Sequence, residues 1–251
     1  MFHMYEFATA VIALSRRLVA ATTILCLLAT VPVLAETLVF HASASGKRTL
    51  DQGEGGGNPF ASALIEVLAS PSLKLIDLLG SIEQLTATKS RGFQSADVPA
   101  SVVQGNFLLS PRQKSERRIA LVVVVSDYAR SGGAQSLPGA KYDAERIASA
   151  LKRVGFDTEI ALDQTLPAMR KSLAAFAARS SEHDVAVVYT TGHGVEVGGT
   201  VFLVPGDYPI RERNAALSSR ALPLPEISQS ARAKTINLIF YGGCRDNPFD
   251  E

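Results

Sequence analysis

Two residues in the second half of the 251-residue chain have the types and the spacing for covalent catalysis, His193 and Cys244. A cysteine attacks a carbonyl as the thiolate, and an imidazole within reach can take the thiol proton. The two lie about 50 residues apart, enough for one crossover connection between neighbouring parallel strands. Each follows an apolar run that glycine breaks: Asp184-Val-Ala-Val-Val-Tyr-Thr-Thr-Gly-His193-Gly194 in one case, Thr235-Ile-Asn-Leu-Ile-Phe-Tyr-Gly-Gly-Cys244 in the other. Such runs of β formers read as central strands of a parallel sheet, and sites collect beyond the carboxyl ends of such strands. The competing reading of Cys244 is a packed core thiol, the commonest fate of a single cysteine. The glycines before it and Arg245-Asp246-Asn247-Pro248 after it are loop chemistry, which favours a reactive group.

The composition is that of an ordinary globular protein. Hydrophobic residues make up 47% and charged residues 20%, so a real core can form, and a net charge of +1 gives no reason to expect a nucleic acid partner. The amino terminus reads as an export signal over residues 1–35. Arg16 and Arg17 precede an apolar run that ends in Val33-Leu34-Ala35 before Glu36, a small-residue cleavage site. An uncleaved anchor is the alternative, and only then would the chain meet a membrane. Export places the protein in a bacterial periplasm or outside the cell. Cleavage would remove Cys26 and leave Cys244 as the only cysteine, which excludes an internal disulfide and a cysteine-based zinc cluster. No metal or cofactor is expected.

The elements that must position the pair follow in chain order. Thr37 to Ser43 reads as a strand, Gly46 to Asp51 as a turn with a short strand, and Gly53-Glu-Gly-Gly-Gly-Asn-Pro59 as a surface loop. That loop lacks the Gly-Lys-Ser/Thr ending of a phosphate cradle. A short helix over Phe60–Leu68 and a second opening at Pro71-Ser72 are predicted, then a short strand at Asn106–Ser110. His41, in mid-strand, reads as a packed histidine rather than a ligand. Pro111 to Arg118 is a charged linker and the clearest internal boundary, separating segments 36–110 and 119–251. Beyond it come a fully apolar strand at Ile119–Val125, a helix at Ala140–Val154, a strand at Phe156–Leu162 and a helix at Leu166–Ser180. The His193 strand, a strand at Thr200–Val204, a loop and helix at Leu222–Ala233 and the Cys244 strand follow. Alternation of this kind predicts a parallel sheet with helices on both faces.

Four pieces in this order resemble the caspase-like cysteine peptidases, the group of caspases, metacaspases and their bacterial relatives. They are Ser126-Asp127-Tyr128, Leu137-Pro-Gly-Ala-Lys-Tyr-Asp143-Ala144, Thr191-Gly-His193-Gly194 and Cys244-Arg-Asp-Asn-Pro-Phe249, spanning residues 117–249. The resemblance implies an α/β fold, a three-layer caspase-like sandwich with a mostly parallel six-stranded sheet. It implies a cysteine endopeptidase acting on protein or peptide, with Cys244 as nucleophile, His193 as general base and the N–H groups of Gly194 and Cys244 as oxyanion donors. Leu38 to Ser110 is similar to the small-subunit portion that in the family follows the cysteine, which implies a circularly permuted domain. A truncated or fused gene, or two chains exchanging these halves in a homodimer, are the rivals.

Metacaspase-like relatives carry an aspartate two residues before the cysteine, and here that position is Gly242. Caspases use arginines in the acidic-residue pocket, and one matching position is Leu137. Asp143, helped by Asp127 or Asp51, would then favour Lys or Arg in the substrate, while the plainer role for Asp143 is capping a helix. A scaffold that keeps the fold without cleaving is the reading from a different class, motivated by Gly242 and by Thr190-Thr191. A non-peptidase thiol enzyme on a doubly wound sheet also fits the strand pattern, but it predicts nothing about residues 38–110.

Overall fold

A computed structural model describes residues 35–53, 55–110 and 112–249. The leader expected over residues 1–35 lies, apart from Ala35, outside the described residues. Among those residues no helix is long and apolar enough to cross a membrane.

Segment 36–110 carries β1 (Glu36–His41), α1 (Pro59–Leu68), β2 (Leu73–Lys74), α2 (Leu75–Lys89) and β3 (Leu108–Ser110). From Arg118 onward come β4 (Arg118–Val124), α3 (Pro138–Arg153), β5 (Asp157–Leu162), α4 (Leu166–Ser180) and β6 (Val185–Thr191). The remaining elements are β7 (Gly194–Val197), β8 (Thr200–Leu203), a 3-10 turn over Ile210–Ala216, α5 (Leu217–Arg220), β9 (Leu222–Pro223), α6 (Leu224–Ser228) and β10 (Ile236–Tyr241).

The central sheet is parallel throughout, in the order β1-β10-β6-β4-β5. Every residue of β4, β6 and β10 is buried, which explains their near-continuous Val, Ile, Leu and aromatic content: a strand covered on both faces has no polar side to show. β5, at one edge, instead alternates, and its Asp157 and Glu159 pair with Arg179 of α4. Successive strand residues point to opposite faces and so build two cores. Leu38, Phe40, Val122, Val187 and Leu238 pack under α1, α2 and α3; Ile119, Val123, Val188, Ile239 and Tyr241 pack under α4, α6 and a small antiparallel sheet, β7-β8-β9. This is the α/β sandwich anticipated.

Several expected details differ. The central sheet has five strands among the described residues rather than six. Thr200–Leu203 belongs to the small sheet, because it follows β7 by a two-residue turn and can only return antiparallel. Residues 47–50 form no strand, being held by side chains and by the Cys244 loop instead. The second helix starts at Leu75, since Leu73 and Lys74 pair with β3 first. Arg118, expected at the end of the linker, is the first residue of β4.

β1 pairs with β10 along its whole length, from Glu36↔Ile236 to His41↔Tyr241, so segment 36–110 belongs to the same compact unit as segment 119–251. Glu36 accepts the N–H groups of Val103 and Gln104, and His41 exchanges main-chain hydrogen bonds with Asp97; together these cover the outer edge of β1.

Candidate active site

The register of the two central strands sets the site. Tyr241 of β10 pairs with Thr190 of β6, and Cys244 and His193 each stand three residues beyond that pair. Both are half-buried and both line one cleft, together with Thr49, Leu50, Asp51, Asn58, Leu137, Thr191 and Gly242. The pair is therefore presented by adjacent strand ends, at the edge where the apolar runs stop.

Glycine is demanded by the geometry on the His193 side. Gly192 adopts φ 155°, and a Cβ there would lie 2.8 Å from the Tyr128 hydroxyl. A Cβ on Gly194 would overlap the Cys244 carbonyl oxygen and the Tyr241 hydroxyl, so only glycine lets β7 run this close to the Cys244 loop. Val204 N–H donates to the His193 carbonyl at 2.9 Å; alternation along the ladder then turns the Gly194 N–H away from β8.

His193 is held from two sides. Its main-chain N–H donates to the Tyr128 hydroxyl at 2.7 Å, and that hydroxyl donates to Val204 O at 2.9 Å. The Tyr128 ring meets the imidazole edge-on, centroids 4.4 Å apart. His193 Nε2 lies 2.7 Å from the carbonyl oxygen of Gln135. A carbonyl can only accept, so Nε2 carries the ring proton and Nδ1 is the nitrogen with a lone pair in the neutral ring. Burial pushes the Tyr128 hydroxyl far above the usual phenol range, which keeps it a neutral donor.

Around Cys244 the chain is tightly fixed. Thr49 N–H donates to the sulfur at 3.3 Å and Thr49 Oγ1 is 3.4 Å from it. Arg245 N–H donates to Lys47 O, and the Arg245 guanidinium reaches Glu196 at 2.7 Å, Asp97 at 2.6 Å and the Ser43 carbonyl at 3.1 Å. Asn58 donates to Gly242 O at 3.2 Å while its own N–H is held by Asp143. Gly242 and Thr191 are two halves of one packing choice: a Cβ at 242 would sit 2.8 Å from Thr191 Oγ1, so the threonine fills the space a side chain at 242 would need.

The three aspartates anticipated for substrate binding part company. Asp51 lines the cleft, and its carboxylate accepts Gly139 and Ala140 N–H at the start of α3 at 2.9 and 2.8 Å. Asp143 has no exposed surface; its oxygens are taken by Asn58 N–H at 2.7 Å and Arg146 at 2.9 Å, so direct contact with substrate is closed to it. Burial pushes Asp143 up to about 6, against the Asn58 N–H and Arg146, which pull it down. Asp127 is exposed outside the cleft and caps Ala129 N–H. Sequence reasoning missed Gln135, Thr49 and the carboxylate partners of Arg245. Gln135 and Thr49 act largely through main-chain atoms, which no residue type announces. Among the described residues no cluster of His, Cys, Asp and Glu has the arrangement to hold a metal ion.

A thiol and an imidazole from adjacent strand ends, one oriented by a carbonyl and the other by an N–H, can perform acyl transfer. Comparison with known proteins points the same way. The family model described as the caspase domain matches residues 117–251. No curated protein matches the chain. The matched span is more than half of the sequence, and it holds both His193 and Cys244: the chain belongs to the caspase family of cysteine peptidases.

Proposed function

We propose that the protein is a cysteine endopeptidase in which Cys244 is the nucleophile and His193 the general base. The observation that carries this reading is the placement of both residues, three positions beyond paired residues of β6 and β10, in one cleft. The proton leaves Sγ for His193 Nδ1, and the sulfur forms a bond to the scissile carbonyl carbon. Negative charge moves to the carbonyl oxygen, where the Gly194 and Cys244 N–H groups receive it. Nδ1–H then protonates the departing amine as the C–N bond breaks, and water attacks the thioester with the same nitrogen as base. No step calls on a metal or cofactor.

Asp51 supports a preference for Lys or Arg at the cleaved position. Its two helix-terminal N–H partners leave lone pairs on the carboxylate open to a cationic side chain. Asp143 supports the same site indirectly, through Asn58 and the Gly242 carbonyl. The parallel pairing of β1 with β10 supports a permuted chain, because segment 36–110 supplies the strand beside the nucleophile strand from the front of the sequence. The apolar run before Glu36 supports export.

The test is cleavage of fluorogenic peptides ending in Arg, Lys or Asp by the purified chain and by Cys244→Ala. Turnover on Arg and Lys peptides, abolished in the variant, is expected. A folded, monodisperse protein that cleaves none of them overturns the reading and leaves the scaffold. Faster turnover on Asp peptides keeps the peptidase and removes the Asp51 assignment.

A further inference from the structure

The sulfur of Cys244 has a closer relation to Thr49 than a nucleophile needs for mere packing. Three atoms of that residue surround it: the main-chain N at 3.3 Å, the hydroxyl oxygen at 3.4 Å and the carbonyl oxygen at 3.9 Å. The N–H can only donate. The hydroxyl can donate or accept while the sulfur is protonated, but once the proton has left, the sulfur accepts only and the hydroxyl must turn to donate. Loss of the proton thus leaves two donors from one residue converging on the anion, and charge-assisted hydrogen bonds of this kind are the stronger class.

Thr49 is not a loose loop residue that falls against the thiol by chance. On one side Lys47 accepts the N–H of Arg245 at 2.8 Å, and Gly46 N–H donates to Arg245 O at 3.1 Å. On the other side Leu50 N–H donates to Gln94 Oε1 at 3.0 Å. Gln94 is itself buried and tied to the Ala42 carbonyl at 3.1 Å. The segment is pinned before and after Thr49, so its donors are aimed before any substrate arrives.

We propose that Thr49 is a further catalytic residue, whose main-chain N–H and hydroxyl hold the Cys244 sulfur as the attacking anion. The inference rests on the assignment of Cys244 as nucleophile. It also gives segment 36–110 a chemical part in the site, through a residue that touches the reacting atom.

Alkylation of Cys244 by iodoacetamide tests this without a peptide substrate. The full chain is treated at pH 6.5, and the modified Cys244 peptide is counted by mass spectrometry, which separates it from Cys26. Thr49→Val keeps the volume and removes the hydroxyl, and alkylation slows about fourfold: loss of one charge-assisted hydrogen bond lowers the thiolate fraction about tenfold, and the more basic sulfur recovers part of that in reactivity. Thr49→Ser keeps the hydroxyl and stays within about twofold of the parent rate. Thr49→Ala carries the test should the valine variant fail to fold, and it too is slow. Alkylation of the valine or alanine variant at or above the parent rate overturns the proposal, because the threonine is then a cover over the thiol. A serine variant as slow as valine also overturns it, since methyl packing is then responsible. Thr49-independent alkylation with cleavage intact removes Thr49 and keeps the peptidase. Thr49-dependent alkylation with no cleavage removes the peptidase and keeps the sulfur contact.

Discussion

Two buried arginines fasten the front segment to the rest of the molecule, one at each end of the central sheet. Arg118 stands at the amino end of β4 and Arg245 just past the carboxyl end of β10. Both are almost out of solvent, at 2% and 9% exposure. Arg118 meets mostly main chain: the Leu108 and Leu109 carbonyls of β3, Val154 O at 3.0 Å beyond α3, the Glu116 carboxylate and the Phe156 ring. Arg245 meets two carboxylates from separate segments, Asp97 and Glu196, and its neighbour in sequence is Cys244. The same side chain is a staple at one pole and a setting for Cys244 at the other. What differs is what its own backbone carries.

That contrast predicts effects of different kinds. Arg118→Ala strands a buried carboxylate and three carbonyls at once, and breaking a buried ion pair costs about 3–5 kcal/mol. The urea midpoint should fall accordingly, while the folded fraction keeps the parent rate of Cys244 alkylation. A change in that rate would mean that the lower pole reaches the site, and the contrast fails. Arg245→Ala should act on catalysis instead. It frees the loop that aims the sulfur, and a misplacement of about 1 Å can lower the rate roughly 100-fold. kcat should carry the loss with KM near the parent value. Arg245→Lys should not restore it, since one ammonium cannot hold Glu196, Asp97 and the Ser43 carbonyl in a fork.

The upper pole also holds two titrating groups whose effects oppose one another. Burial pushes His41 down to about 4, with the Arg245 cation adding to it, and its Nδ1 is buried without a partner among the described residues. A histidine that stays neutral when folded loses stability as pH falls from its ordinary 6.5 toward 4, because the unfolded chain takes up the proton first. Asp143, pushed up from 3.8 to about 6, does the reverse: the folded chain binds the proton more tightly, so stability falls as pH rises through this range. The two slopes largely cancel between pH 4 and 6. Asp143→Asn removes one and should expose the other, an acid-induced loss on the order of 2 kcal/mol that the parent lacks. Denaturant melts of both proteins at pH 4, 5 and 6 decide it; parallel curves would mean that these groups do not titrate with folding.

Much of this arrangement was legible in the residues. The runs at 119–125, 185–191 and 236–241 are apolar because both faces of those strands are covered, and burial of that kind writes itself into composition. The glycines after β6 and β10 likewise marked where the chain turns up to the site. Other parts left weaker traces. Asp143 reads as a site residue because an aspartate near a helix entry suits both a pocket and a cap; it is neither, standing inside α3 with its oxygens on Asn58 N–H and Arg146 while Asp51 takes the first N–H groups of that helix. The small sheet β7-β8-β9 was hidden because Thr200–Leu203 has the same pattern as a central strand, and partner choice is a long-range property. Gln135 enters through its carbonyl and Thr49 in part through its N–H, backbone atoms that carry no signature of residue type.

Tyr128 offers the finest division between holding the fold and holding the site. Its hydroxyl joins His193 N–H to the Val204 carbonyl, and its ring braces the imidazole. Tyr128→Phe keeps the ring and the packing but leaves that N–H and that carbonyl short of a partner in a buried place, a cost of about 1–3 kcal/mol. Stability should therefore fall less than for Arg118→Ala. The His193 ring still has the Gln135 carbonyl on Nε2, so the tautomer survives and only the anchoring of the loop is relaxed. A loss of about tenfold in kcat is expected, with KM near the parent value, because the defect is in the aim of His193, the proposed base, and not in the binding of substrate. If melting shifts and kcat does not, Tyr128 is a packing residue and His193 is positioned by Gln135 alone. If kcat falls as far as in Arg245→Ala, His193 and Cys244 depend on their supports equally, and the upper pole works as a single clamp rather than two.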